Sequence, residues 1–164
     1  MKGEHKHLFE ALTDAQIMGL CIWAEARGEG MEGRIAVGSV ILNRADFGAI
    51  HDPWGRRYGK TVHTVVMAPW QFSWLNSKPP QSYTDPQYER VVKIAQDFEG
   101  EYHDHPNLFI MFAIAEGMLQ GNIKRNVSSL YYHTLDVHPP WAKKLVVERT
   151  IGAHVFYEEL TMKK

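Results

Sequence analysis

The sequence predicts an α+β fold, mainly α-helical, with a small β-hairpin or sheet region near the C-terminus. Two observations carry this: helix caps and helical apolar spacing recur up to residue 120, and β-prone segments gather after residue 129. With 164 residues, 45% of them hydrophobic, one domain over 1–164 is expected, its core spanning about 10–160. A chain of this size buries roughly two thirds of its unfolded surface.

The first helix is expected from Asp14 to about Arg27. Thr13 followed three residues later by Gln16 forms a capping-box pattern, and Ile17, Leu20, Cys21 and Ala24 line one face. Gly28 is the expected stop, by way of a left-handed turn. A second helix is expected from near Glu32 to about Arg44, with Gly38 and Ser39 small enough to admit the first helix closely. The stretch from Phe47 to Ser82, rich in Gly, Pro, Trp and polar residues, holds a short helical candidate at Thr61 to Met67 and otherwise reads as a binding segment. Asp85-Pro86 opens a helix that continues through Tyr88, Val91, Val92, Ala95 and Phe98 to Gly100. Leu108 to Gln120 gives another. Ser129 to His133, Leu145 to Thr150 and Ala153 to Tyr157 are the expected strands, the last two flanking Gly152.

Eighteen basic and nineteen acidic residues leave a net charge of −1, so no long-range field attracts nucleic acid. The single cysteine, Cys21, excludes an internal disulfide and sits in an apolar helical face as a small buried residue. The start, MKGEHKHLFE, lacks the pattern of a secretory signal, so synthesis in the cytoplasm without a signal peptide is expected. The longest apolar run, Leu108 to Leu119, is interrupted by Glu116 and too short to span a bilayer, so no membrane insertion is expected.

Trp23 to Arg44 is the chemically informative stretch, because it sets carboxylates among Ala, Gly and apolar residues. Burial there disfavours charge, so Glu25 could hold a proton near neutral pH and act as a general acid. Glu29 is the secondary candidate: four residues of unbroken helix would put it on the same face, a relation that Gly28 is expected to break. For either residue the bland alternative is a surface ion pair with Arg27 or Arg34, worth below about 1 kcal/mol. Tyr131, Tyr132 and His133 form a candidate groove wall, in which Tyr131 and His133 share a face if the segment is a strand. Gln71 and Ser73 are candidate hydrogen-bonding groups, with Phe72 packing beside them. Trp54, Trp70, Trp74 and Trp141 each stand open between core packing and stacking on a sugar ring.

AEARGE at 24–29, GRIAVGSVILNR at 33–44, QFS at 71–73, AEGMLQG at 115–121, SLYYH at 129–133 and TIGAHVFY at 150–157 occur together in this order. In these elements the chain resembles the cell-wall hydrolases typified by germination-specific spore-cortex-lytic enzymes, which include phage and prophage lysins. The resemblance implies a lysozyme-like fold and cleavage of the N-acetylmuramic acid to N-acetylglucosamine bond of peptidoglycan, as a lytic transglycosylase with Glu25 as the catalytic acid. It also implies Gln71, Phe72, Ser73, Tyr131 and His133 as contacts to the glycan strand. Ala24, where the family often has glycine, and Asn126-Val127-Ser128, where an acidic residue and threonine are common, are the departures. A monomer without metal or cofactor is expected. As a phage or prophage endolysin it would reach the wall through a membrane lesion made by a holin-type partner.

Rival readings are a zinc amidase of the peptide stems, a cysteine peptidase and a noncatalytic glycan-binding module. The nine histidines form no HExxH pattern, and Cys21 lies in an apolar face rather than at a helix N-terminus.

Overall fold

The computed structural model describes residues 5–51, 59–68 and 86–158. Among them are seven α-helices: α1 (Lys6–Glu10), α2 (Asp14–Ala26), α3 (Met31–His51), α4 (Val62–Met67), α5 (Pro86–Gln96), α6 (Phe98–Glu101) and α7 (Pro106–Leu119). Strands β1 (Tyr131–Thr134), β2 (Val147–Ile151) and β3 (His154–Tyr157) follow, with a 3-10 helix at Pro140–Lys144 between the first two. The mainly helical α+β class and its C-terminal sheet match the expectation.

Helix α2 starts as its sequence directs: the Gln16 amide donates to Thr13 Oγ1 at 3.2 Å, and the Thr13 amide donates to Gln16 Oε1 at 2.9 Å. Its end differs. Arg27 closes the helix in right-handed geometry, Gly28 is not left-handed, and the Glu29 amide bonds the Ala26 carbonyl at 3.0 Å, tightening the last turn. Nearly every side chain of α2 from Ile17 to Trp23 is buried, packed mainly against α7 and also against α3 and α4.

Helix α3 runs seven residues past the expected end at Arg44, because Ala45 and Gly48 continue the buried side. Residues 47–51 of the expected binding segment are therefore helical. Gly38 permits the close approach anticipated for it: a Cβ there would stand 2.7 Å from Met118 Sδ and 3.1 Å from Met18 Cε. The helix expected to run to Gly100 is instead two, because Asp97 leaves helical geometry and its carboxylate accepts from the Gly100 amide, capping α6.

The sheet is antiparallel in the order β1-β3-β2. Tyr132 pairs with Phe156 and His133 with Val155, and a bulge interrupts β2 between Val147 and Arg149. Phe156 and Ile151 join Ala36, Val40 and Val127 in a small core that fixes the sheet on α3. Among the described residues no helix is long and apolar enough to cross a membrane.

Candidate active site

Glu25 lies in the last turn of α2, and its Oε2 accepts a hydrogen bond from the Tyr132 hydroxyl at 3.0 Å. The carboxylate keeps some accessible surface but is enclosed closely by protein atoms, and this desolvation pushes its pKa from an ordinary 4.5 up to about 7. The Tyr132 hydrogen bond and the Arg44 charge pull the other way and do not prevail. Burial, with Glu25 as a neighbour, raises the Tyr132 phenol well above its ordinary range, so Tyr132 faces Glu25 as a neutral O–H donor. A carboxyl group titrating near 7 can give up a proton and take one back at neutral pH.

Tyr132 is 107 residues from Glu25 in sequence, and α3 fixes its place. The Asn43 side-chain amide donates to the carbonyls of Val127 and Ser129, both at 3.0 Å, and buried Arg44 donates through Nε to the Leu130 carbonyl at 2.8 Å. Ser39 adds a further tie, its hydroxyl accepting from the Asn126 amide at 3.1 Å. The last two residues of GRIAVGSVILNR thus clasp the chain that leads into β1. Phe156 stacks on Tyr132 with ring centroids 5.4 Å apart, and His154 meets the same ring edge-on at 5.4 Å. The sequence places Tyr132 in a candidate wall with Tyr131 and His133 but gives it no contact to Glu25, and it does not mark the Asn43–Arg44 pair. Period-two alternation was the available signal: if Tyr131 and His133 share one face, Tyr132 must take the other.

Glu29 has different company. Its Oε1 accepts from the Ala153 amide at 3.0 Å and stands 3.1 Å from His154 Nδ1, so it bridges the start of α3 to the β2–β3 turn. Burial lowers the His154 pKa, and Glu29 counters part of that shift. Gly152 makes the contact possible: it is left-handed at φ 55°, and a Cβ there would collide with the Glu29 carboxylate. Neither glutamate forms the alternative surface ion pair with Arg27 or Arg34. The Arg27 guanidinium lies 4.5 Å over the Trp23 ring, and Arg34 donates to the Arg27 carbonyl.

Tyr131 and His133 share a face, the one opposite Tyr132. There His133 Nε2 lies 2.6 Å from the Tyr157 hydroxyl, and Trp141 packs against Tyr131, His133 and Tyr157 with centroids 5.5–5.7 Å apart. Trp141 keeps 38% of its surface exposed. Gln71, Phe72, Ser73, Trp54, Trp70 and Trp74 lie outside the described residues. Among the described residues no group of three or more His, Cys, Asp or Glu could hold a metal ion, and Cys21 is buried.

A carboxyl raised to about 7 and held by a neutral donor has the chemistry that general acid–base work requires. The cell wall hydrolase family profile matches residues 28–157, so the chain belongs to that family. The matched span begins three residues past Glu25. No curated protein matches the chain. Two solved structures are similar in fold. The catalytic domain of the Bacillus cereus SleB protein aligns with a TM-score of 0.53 and 22% identity, over 88% of this chain and 89% of that one. The catalytic domain of the germination-specific lytic transglycosylase SleB from Bacillus anthracis gives 0.53 and 20%, over 90% and 98%.

Proposed function

We propose that this cell wall hydrolase degrades peptidoglycan by cleaving the N-acetylmuramic acid to N-acetylglucosamine bond as a lytic transglycosylase, with Glu25 as the one catalytic acid and base. The observation that carries the reading is the Glu25 carboxyl, raised to about 7 and hydrogen-bonded by a neutral phenol. Family membership and the similarity to a lytic transglycosylase domain support the same class.

In this mechanism protonated Glu25 donates to the glycosidic oxygen as the C1–O bond breaks, and the substrate's own acetamido group assists departure. The Glu25 carboxylate then takes the proton of the sugar's 6-hydroxyl as that oxygen bonds to C1, closing an anhydro ring. A second protein carboxylate, usual in glycosidases, is not needed. Glu29 suits a positioning role, since its carboxylate is already engaged by Ala153 and His154. Gln71, Phe72, Ser73, Tyr131 and His133 remain the proposed contacts to the glycan strand.

Digestion of purified sacculi followed by mass spectrometry tests the reaction. Anhydro-muropeptides from wild-type protein and none from Glu25→Gln are expected. Products heavier by one water would make the enzyme a muramidase, and free stem peptides with intact glycan would make it an amidase. Sedimentation with sacculi without any release would leave only a binding module.

A further inference from the structure

On the other side of α2 from Glu25, Trp23 and Arg27, one helical turn apart, form the wall of a cavity of about 490 Å³. Arg90 and Lys93 from α5 and Asp104 and His105 from the approach to α7 complete it. We propose that this cavity binds a carboxylate of the peptide stem of peptidoglycan, an inference that rests on the function proposed above.

Four observations point to an anion. Three permanent cations, Arg27, Arg90 and Lys93, converge here against the single lining carboxylate of Asp104. Glu101, the other acid nearby, offsets part of this charge, standing 3.2 Å from His105 Nε2 and 3.9 Å from Lys93 Nζ, and still leaves the cations in excess. One terminal nitrogen of Arg27 is buried with no hydrogen-bond partner among the described residues, and the guanidinium carbon lies 4.5 Å from the Trp23 ring centroid. A guanidinium with an unused donor suits a carboxylate, which can accept two N–H groups at once. Finally, the fourteen-residue helix α7 opens into the cavity without a side-chain cap at His105, adding its positive end.

Peptidoglycan's sugars carry no free carboxylate where the stem is amide-linked, so its negative charge resides on the stem. Asp104 fits the same ligand, because the stem's diamino acid carries an ammonium beside its carboxylate. Reach favours the longer stems: half the circumference of a helix about 10–12 Å wide is about 16–19 Å, and an extended stem of five residues spans about 16–18 Å. A glycan strand seated at Glu25 could therefore pass its stem around α2 into the cavity.

Calorimetric titration of the whole protein with the soluble stem tripeptide L-Ala-γ-D-Glu-diaminopimelate tests this without any cleavage. Binding is expected, at least tenfold weaker for the tripeptide with its carboxylates amidated and for the double variant Arg90→Gln/Lys93→Gln. The charge-keeping Arg90→Lys/Lys93→Arg should retain it, and thermal melts check that both variants fold. No binding, equal binding of the amidated peptide, or equal displacement by the same concentration of inorganic phosphate would overturn the assignment. Sacculus digestion run in parallel separates the two readings. Binding without digestion sinks the role of Glu25, and digestion without binding sinks this cavity.

Discussion

Glu25 and Glu29 are four residues apart, on either side of the end of α2, and the fold treats them oppositely. Glu25 meets a neutral hydroxyl and loses solvent, so its charged form is disfavoured and its pKa rises to about 7. Glu29 meets a backbone amide and a histidine, which suit a carboxylate, and its oxygens tie α3 to a strand turn. The same side chain is thus given the properties of a proton donor or of a staple according to its partners. The break in the helix at Ala26 and Arg27 is what sends the two toward different partners.

The largest expected effect falls on turnover. Glu25→Gln should lower muropeptide release by about 10²–10⁴-fold, the range for a general acid–base group, whereas Glu29→Gln should stay within about tenfold of wild type. Equal losses in the two variants, measured on the same sacculi, would erase the distinction.

Stability against pH comes next. The folded pKa of Glu25, about 7, lies above its unfolded value of 4.5, so between them the folded state binds more protons. The group's contribution is fully present below pH 4.5 and is lost as pH rises through 7. Glu25→Gln lacks this decline, and its stability should gain on wild type by about 1–3 kcal/mol between pH 4 and pH 8, after allowance for partial solvent access. Denaturant titrations at the two pH values check it, and a constant gap would mean that the carboxyl is not raised.

Glu29→Ala should cost about 1–3 kcal/mol, because it leaves the Ala153 amide without its acceptor. It should also lower the His154 pKa further, since Glu29 now holds that value up. Chemical denaturation and an NMR titration of the His154 ring read the two effects. An unmoved His154 would show that the staple carries no charge coupling.

The smallest effect concerns Tyr132. Its hydrogen bond favours the charged form of Glu25, so Tyr132→Phe should move the alkaline limb of the activity profile upward, by up to about one pH unit for a bond worth about 0.5–1.5 kcal/mol. A downward shift in the pH–rate profile would contradict the geometry.

Much of the fold was legible where one local signal decides it. Thr13 and Gln16 mark the start of α2, Pro86 opens α5, and β-prone residues around Gly152 announce the hairpin. Misreadings arose where side chains act against the average meaning of their residue types. Glycine and polar residues from Phe47 onward read as a binding segment, yet burial of Ala45 and Gly48 carries α3 to His51. Asp97 read as one more helical residue, yet its carboxylate ends one helix and caps the next. Glu25 stood out because a carboxylate in an apolar stretch is anomalous. Tyr132 did not, since nothing local distinguishes it from Tyr131 and only the pairing of β1 with β3 decides which ring turns inward. Asn43 and Arg44 were invisible as site residues for the same reason: their acceptors are carbonyls 84 to 86 positions away.

The clasp of Asn43 and Arg44 on residues 127–130 makes the final tuning of this acid depend on long-range folding. While the chain is being synthesised, the first helix can form with its glutamate still an ordinary, ionised carboxylate. The final strands then bring it the Tyr132 hydroxyl, whose hydrogen bond draws the raised pKa part of the way back down. The carboxyl carbon's NMR frequency at neutral pH would accordingly report whether the C-terminal third has joined the rest.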